Sequence, residues 1–233
     1  MKYVFADFKW EIEENFQYLS KTAKDYLGFF DNADFSFSVN EDDIEYEFSL
    51  SDGISDRNYL EYIAVLRKIG DILPENDAFV LHSACFDIDG IGVAFAASSG
   101  TGKTTHLNRW QNYLGYRLKV VNGDKPIVRF IDGKPFAYGT PWCGKEKLGC
   151  NTKTPLKHIC FIKRNEKNFV EKISKEEAIP RIFNQVYMPR SNPKLVEKTM
   201  ELIDKLLTCT ELWIIHCNLD ENAGEIAFKK IFR

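Results

Sequence analysis

The chain lacks any run of about eighteen consecutive apolar residues, the length a membrane-spanning helix requires, so no span is expected. It lacks a basic run. Its 31 basic and 34 acidic residues leave a formal net charge of −3, which argues against a grip on nucleic-acid phosphates as its main function. Its six cysteines include no Cys-x-x-Cys pair. A zinc site would need tighter clustering with histidine, so these thiols read as small buried hydrophobes with one or two exposed. No signal-peptide core follows Met1, and a reducing cytoplasm is the expected compartment. Repeats, low-complexity tracts and flexible linkers are also missing.

What is present suffices for a core. The 233 residues are 44% hydrophobic and 14% aromatic, enough for one large domain or a domain with a small appendage. Alternation predicts strands at Tyr3–Phe8, Phe35–Val39 and Ile44–Phe48, the last with Ile44, Tyr46 and Phe48 on one face. Between the first two, Trp10–Phe29 reads as partly helical. Arg57–Leu73 reads as an amphipathic helix with Tyr59, Tyr62, Ile63, Leu66 and Ile69 on its apolar stripe and Pro74 past its end. A composition shift near Leu73–Ala78 separates an N-terminal α+β segment, 1–75, from a core, 76–233. In the core, strands are predicted at Phe79–His82, Ala84–Ile88, Ile91–Ala96, Lys119–Val121, Ile127–Ile131, Pro135–Tyr138, Pro155–Lys163 and Leu212–His216. Helices are predicted at His106–Tyr113, Lys175–Phe183, Pro193–Leu207 and Glu221–Phe232.

One stretch carries chemistry on its face. Ala97-Ser98-Ser99-Gly100-Thr101-Gly102-Lys103-Thr104-Thr105 lies between an apolar strand and a helix. That is the layout of a phosphate-binding P-loop. Glycines let backbone N–H groups converge on one anion, and the first helical turn offers more. Lys103 adds a point charge, and the Thr104 hydroxyl suits a Mg²⁺ shell. Average composition yields Gly-x-Gly-Lys-[Ser/Thr] by chance in roughly one chain of this length in a hundred. The pattern usually opens with glycine, and Ala97 departs from it. The expected ligand is a nucleoside triphosphate.

A phosphoryl-transfer enzyme also needs an acid and a cation aimed at the transferred group. Asp124 ends the strand after the P-loop helix, where a crossover brings it beside Lys103; the alternative is a mere turn residue in Asn122-Gly123-Asp124. Gly139-Thr140-Pro141-Trp142-Cys143-Gly144-Lys145 is a second loop of site-building character. Lys145 could reach a phosphate; Trp142 either walls off water or fills the core. Arg164 is either a phosphate clamp or a solvated end-of-strand residue. His82, ending a strand before the P-loop strand, is a core histidine or a site residue; His106, His158 and His216 fit the core better.

These residues resemble a known family. Leu81-His82-Ser83-Ala84, the hairpin Asp89-Gly90, the P-loop and Val120-Val121-Asn122-Gly123-Asp124 are similar in order and spacing to HPr kinase/phosphorylase. They also resemble the related phosphoenolpyruvate carboxykinases. Gly139-Thr140-Pro141-Trp142 resembles a loop of small HPr-kinase-like proteins of bacteria. The likeness spans Phe79–Arg164. It implies an α/β (α+β) P-loop core of mixed β-sheets flanked by helices, rather than a doubly wound parallel sheet, with an N-terminal strand-and-helix appendage. It implies ATP, Mg²⁺ and phosphoryl transfer to a hydroxyl, with Lys103 on the phosphates, Thr104 on the metal, Asp124 as metal ligand or base, and His82 in the site. HPr kinases carry two adjacent aspartates where this chain has Gly123-Asp124, so one acid is missing.

The sequence therefore suggests an ATP-dependent kinase acting on a serine of a peptide or small protein, or on a small metabolite. Ser98 through Thr105 would bind nucleotide, Thr104 and Asp124 the metal, and Lys145 or Arg164 would neutralise the transferring group. The acceptor pocket is expected from the segment after Arg164, notably Gln185-Val186-Tyr187-Met188-Pro189-Arg190. The alternatives are a nucleotide-binding regulatory module without catalysis, and a structural partner using its N-terminal strands as an interface. Neither nucleic acid nor membrane is an expected partner, and self-association into a homo-oligomer is left open.

Overall fold

The computed structural model describes residues 1–98, 100–190, 192–218 and 220–233. The chain opens with β1 (Lys2–Phe5) and β2 (Phe8–Glu13), antiparallel across a two-residue turn. Ala6 and Asp7 both have φ 56°, the left-handed pair that matches the twist of a tight hairpin. The expected single strand Tyr3–Phe8 is thus broken in two, and the expected helix from Trp10 shrinks. Trp10 and Ile12 are buried strand residues, and α1 (Tyr18–Thr22) is short. A 3₁₀ turn follows (Lys24–Tyr26), then β3 (Phe35–Ser38), parallel to β2.

Next come α2 (Glu41–Leu50) and α3 (Arg57–Ile72). The strand expected at Ile44–Phe48 is helical. Asn40 and Asp43 form a reciprocal capping box, and three acidic residues follow the cap in the first turn. Only Ile44 of the alternating trio is buried; Tyr46 and Phe48 are exposed. Arg67 of α3 pairs with Asp43 and Glu47, tying the two helices together. Buried Glu61 accepts hydrogen bonds from the N–H groups of Asn15 (2.5 Å) and Phe16 (2.8 Å), pinning the chain ahead of α1 to α3.

The remaining elements are β4 (Ala78–Val80), β5 (Ser83–Ile88), β6 (Ile91–Ala96), α4 (Lys103–Leu114), β7 (Leu118–Asn122), β8 (Ile127–Ile131), β9 (Lys134–Tyr138), β10 (Lys153–Arg164), β11 (Phe169–Lys172), α5 (Lys175–Phe183), α6 (Pro193–Cys209), β12 (Glu211–Cys217) and α7 (Ala223–Ile231). The long strand β10 serves two sheets. Its first residues pair antiparallel with β9, which continues through β8 to β4. After a register slip between Leu156 and His158 it pairs in parallel with β6 on one side and β12 on the other. β5 and β7 extend the β6 side, and β11, absent from the sequence expectation, edges β12. The sheets are mixed and flanked by helices, as the sequence suggests.

Three apolar clusters hold this arrangement. Phe86, Phe95 and Trp110 meet edge-on or tilted beneath α4 and α7. Such ring pairs contribute about 1 kcal/mol each beyond their burial. On the other face, Ile159, Phe161, Leu202 and Leu206 pack α6 on the sheet. The third cluster joins the N-terminal segment to the core, with Phe5, Trp10 and Ile69 sharing contacts with Ile127, Tyr138 and Trp142. Among the described residues, no helix is long and apolar enough to cross a membrane.

Candidate functional site

Strand direction assembles the site. β6, β7, β10 and β12 all point the same way, because β5 is antiparallel to both β6 and β7. Their carboxyl ends, and the start of β5, therefore meet along one edge. Open sheets collect ligands at such an edge. It brings together His82 ahead of β5, the loop after β6, Asp124 after β7, and Arg164 at the end of β10.

The loop is built for an anion. Gly100 and Gly102 have φ 75° and 117°, conformations that side-chain-bearing residues rarely adopt, and the space beside each is open. Gly102 caps α4 without any side-chain hydrogen bond, and no acidic residue occupies the first turn of that helix. The first N–H groups of a helix lie beyond its own hydrogen-bond ladder, and the positive end of the α4 dipole sits at this loop. A hydrogen bond from Thr101 N to Ser98 O (3.2 Å) tightens the turn. Ser99 lies outside the described residues. Thr104 and Thr105 follow Lys103 in the first turn of α4, both beside the main cavity. Ala97 is buried, and its carbonyl accepts a hydrogen bond from Lys103 Nζ at 2.6 Å.

Three charged or titratable groups converge above the loop. His82 Nε2 lies 3.2 Å from Asp124 Oδ1 and 3.3 Å from Lys103 Nζ. One ring nitrogen cannot donate to the carboxylate and accept from the ammonium together, so its protonation selects the bond that forms. Asp124 Oδ2 accepts from Lys125 Nζ at 2.8 Å. Burial works to raise the Asp124 carboxyl. The hydrogen bond from His82 and the charge of Lys125 outweigh it and hold the group at about 2. Burial pulls the Lys103 ammonium below its usual range; Asp124 works against that shift and Lys125 adds to it.

Asp124 is positioned by the second loop. Buried Asn122 donates to Thr140 O (3.1 Å) and Thr140 Oγ1 (3.0 Å), and its own Oδ1 accepts from Asp124 N (2.9 Å) and Lys125 N (2.7 Å). Gly144 covers the carboxylate: a Cβ there would sit 3.0 Å from Asp124 Cβ. At Gly123 a Cβ would meet Cys143 O at 2.9 Å and Leu148 O at 3.1 Å. A second aspartate at 123 therefore has no room while this loop keeps its path. The missing acid and the Gly-Thr-Pro-Trp loop are one structural fact.

The other expected residues take distinct places. Lys145 is exposed and lines the cavity over the loop. Trp142 is buried, donates Nε1–H to Tyr62 O at 3.0 Å, and stacks on the Tyr62 ring. It fills the core and still borders the cavity. Arg164 turns away from that space: its guanidinium donates to Gly100 O (2.5 Å) and Thr101 O (3.3 Å), bracing the loop from behind. His106 accepts from Trp110 Nε1 at 3.0 Å, and burial pushes its pKa down to about 4. His158 and His216 are likewise held by Trp213 and Glu171.

Two cavities flank the loop and share Gly100, Gly102 and Thr105. The larger, 910 Å³, contains Lys103, His82, Asp124 and Lys145. The smaller, 460 Å³, is bordered by Arg109, Arg164, Asn165 and Asn218. The far wall of the larger one comes from the N-terminal segment: Tyr18, Lys21 and Asp25 with Tyr59 and Tyr62 of α3. Gln185–Arg190, the expected acceptor segment, does not border it. Val186 instead bridges to Leu81, and the Tyr187 ring lies against Gly70 with its hydroxyl on Asp71. The sequence held one signal for this wall of the cavity. Two tyrosines on an otherwise aliphatic α3 stripe mark a face with polar tips to satisfy.

No family model matches the chain, and no curated protein matches it. Among solved structures it is similar to the HPr(Ser) kinase/phosphatase from Coxiella burnetii. The two share 12% identity over 55% of this chain and 90% of that one, with a TM-score of 0.31.

Proposed function

We propose that the protein is an ATP-dependent phosphotransferase that uses Mg²⁺ and moves the γ-phosphoryl group to a hydroxyl. The observation that carries this reading is the convergence of Lys103, His82 and Asp124 within 3.3 Å steps above the loop. The resemblance of these same residues to HPr kinase/phosphorylase supports it.

The donor set fits a triphosphate. The loop amides and the Lys103 ammonium offer directed positive charge in partly desolvated surroundings, where it acts most strongly. Thr104 and Asp124 together suit Mg²⁺, which takes one or two protein oxygens and completes its shell with phosphate and water. The ion would offset negative charge on the phosphate oxygens. The smaller cavity, with Asn165 and Asn218 at its border, suits the nucleoside end, leaving the larger for the acceptor.

In the transfer, the acceptor oxygen forms a bond to the γ-phosphorus, the bond to the β–γ bridging oxygen breaks, and ADP leaves. The acceptor proton passes to the Asp124 carboxylate. Asp124, held at about 2, is a weak base. A loose phosphoryl-transfer transition state asks little of a base, because the proton departs late. His82 lies next to that carboxylate and orients it. Lys145 supplies charge on the open side.

A second reading, a nucleotide-binding regulatory module, draws on one specific observation. Both carboxylate oxygens of Asp124 already have partners, and no second acid fits at 123. Incubation with γ-labelled ATP, Mg²⁺ and cell extract separates the two. The kinase reading expects label on an acceptor with the native protein and little with Asp124→Asn. Tight ATP binding without transfer by either protein would leave only the module.

A further inference from the structure

The acceptor end of the large cavity has a surface of its own. Tyr18, Tyr59 and Tyr62 form a ring cluster, with centroids 5.1 Å apart for Tyr18–Tyr62, 6.2 Å for Tyr59–Tyr62 and 6.5 Å for Tyr18–Tyr59. Tyr62 stacks on Trp142 at 5.3 Å, so the rings run without a gap from α1 to the Gly-Thr-Pro-Trp loop. The wall is held in place before any ligand arrives. Tyr62 Oη donates to Pro141 O at 2.9 Å, Tyr26 Oη donates to Thr140 O at 2.8 Å, and Glu61 fixes the chain leading into α1. Preformed walls spare a ligand the entropy of ordering them.

The cluster faces the reacting groups. Tyr59 is 37% exposed, and its phenol is pushed up by burial and by the charge of Asp124, which lies within electrostatic reach. Tyr18 is only half-buried. Around the rings stand donors and acceptors of both kinds: Lys21, Thr22 and Asp25 from the N-terminal segment, and Glu146 beside Lys145 from the loop. Lys147 joins them, so charges of both signs are present, three lysines against two carboxylates. A volume of 910 Å³ lies at the upper end of small-molecule sites, which leaves space for a second compound beside a triphosphate.

Aromatic faces are electron-rich and attract the C–H faces of saturated rings; mixed donors and acceptors match a set of hydroxyls, each of which both donates and accepts. A lone serine side chain would use almost none of this surface. Building on the kinase reading, we propose that the acceptor is a neutral polyhydroxylated ring compound of the sugar class, seated on Tyr18, Tyr59 and Tyr62 with one hydroxyl turned toward Asp124.

The test is saturation-transfer NMR on the full chain with a set of free monosaccharides and inositol, with and without Mg²⁺ and a non-hydrolysable ATP analogue. Ring C–H protons of at least one compound should receive saturation from the native protein. The double variant Tyr18→Ala/Tyr59→Ala should bind that compound roughly tenfold or more weakly, for the loss of two ring contacts. Tyr59→Phe, which keeps the ring, should lose less. Both side chains are partly exposed, so the variants should fold and keep the native thermal shift with the ATP analogue. Sugar binding without analogue binding would uphold this site and reject the kinase reading beneath it. Normal analogue binding with no sugar bound, or label passing to a protein serine, would overturn the proposal alone. Binding of neither would overturn both.

Discussion

Replacing Asp124 with asparagine removes one charge from the centre of the site and keeps its shape. The carboxyl sits at about 2 in the folded chain against an ordinary 3.8. A gap of that size is worth at most about 2 kcal/mol, and solvent screening at a side chain 29% exposed trims it toward about 1. The sign follows from linkage. A depressed carboxyl stabilises the fold at pH values above its unfolded pKa, and that contribution is lost as pH falls from about 3.8 toward about 2. The variant lacks it throughout. Urea midpoints compared from neutral pH downward should therefore show native protein ahead by a constant margin to about pH 5, then a margin that closes as acid is added. The variant also leaves Lys103 and Lys125 without their nearest counter-charge. ATP added without Mg²⁺ should then stabilise the variant more than the native chain, and Mg²⁺ should erase that advantage. A margin that stayed the same from neutral to acid pH would refute the assignment of stability to the carboxylate's charge.

Two further substitutions probe the surroundings. Gly123→Asp, which restores the second acid of the resembled family, should lower stability by about 1–3 kcal/mol in urea titration, because the new side chain meets the Cys143 and Leu148 carbonyls; it should not raise label transfer. Arg164→Ala should weaken ATP binding several-fold in calorimetry while leaving the melting temperature nearly unchanged, since the exposed guanidinium braces only the loop.

The core was more legible than the segment before it. Strand β6, the loop and α4 follow from an apolar run, glycines and a helical period that occur together in the sequence. Asp124 reaches Lys103 although β7 does not lie beside β6 as a simple crossover predicts: β5 runs between them, and the shared direction of β6 and β7 brings both ends to one edge. What escaped was decided by contacts distant in sequence or by caps. Ile44, Tyr46 and Phe48 alternate as a strand does, but the Asn40–Asp43 box and the Arg67 pairs settle a helix. The turn at Ala6-Asp7 has none of the usual glycine or asparagine. In β11 only Val170 is buried, too little for a pattern. Tyr59 and Tyr62 read as part of a packing stripe, and Tyr18 as one residue of a partly helical stretch, because nothing in their own segments reveals that the loop at Gly139–Lys145 stands opposite. The direction of Arg164 likewise depends on where the loop carbonyls point.

Whether this loop holds a magnesium nucleotide is decided by calorimetric titration of Mg²⁺ and ATP into the native chain and into Lys103→Met. Lys103 Nζ bonds to the loop at Ala97 O and lies beside His82, so its loss removes the charge over the cradle without touching the core. The native protein should bind saturably and only with Mg²⁺, and the variant should lose at least about tenfold in affinity. Equal binding by both, or none by the native chain, would contradict a nucleotide site at this loop.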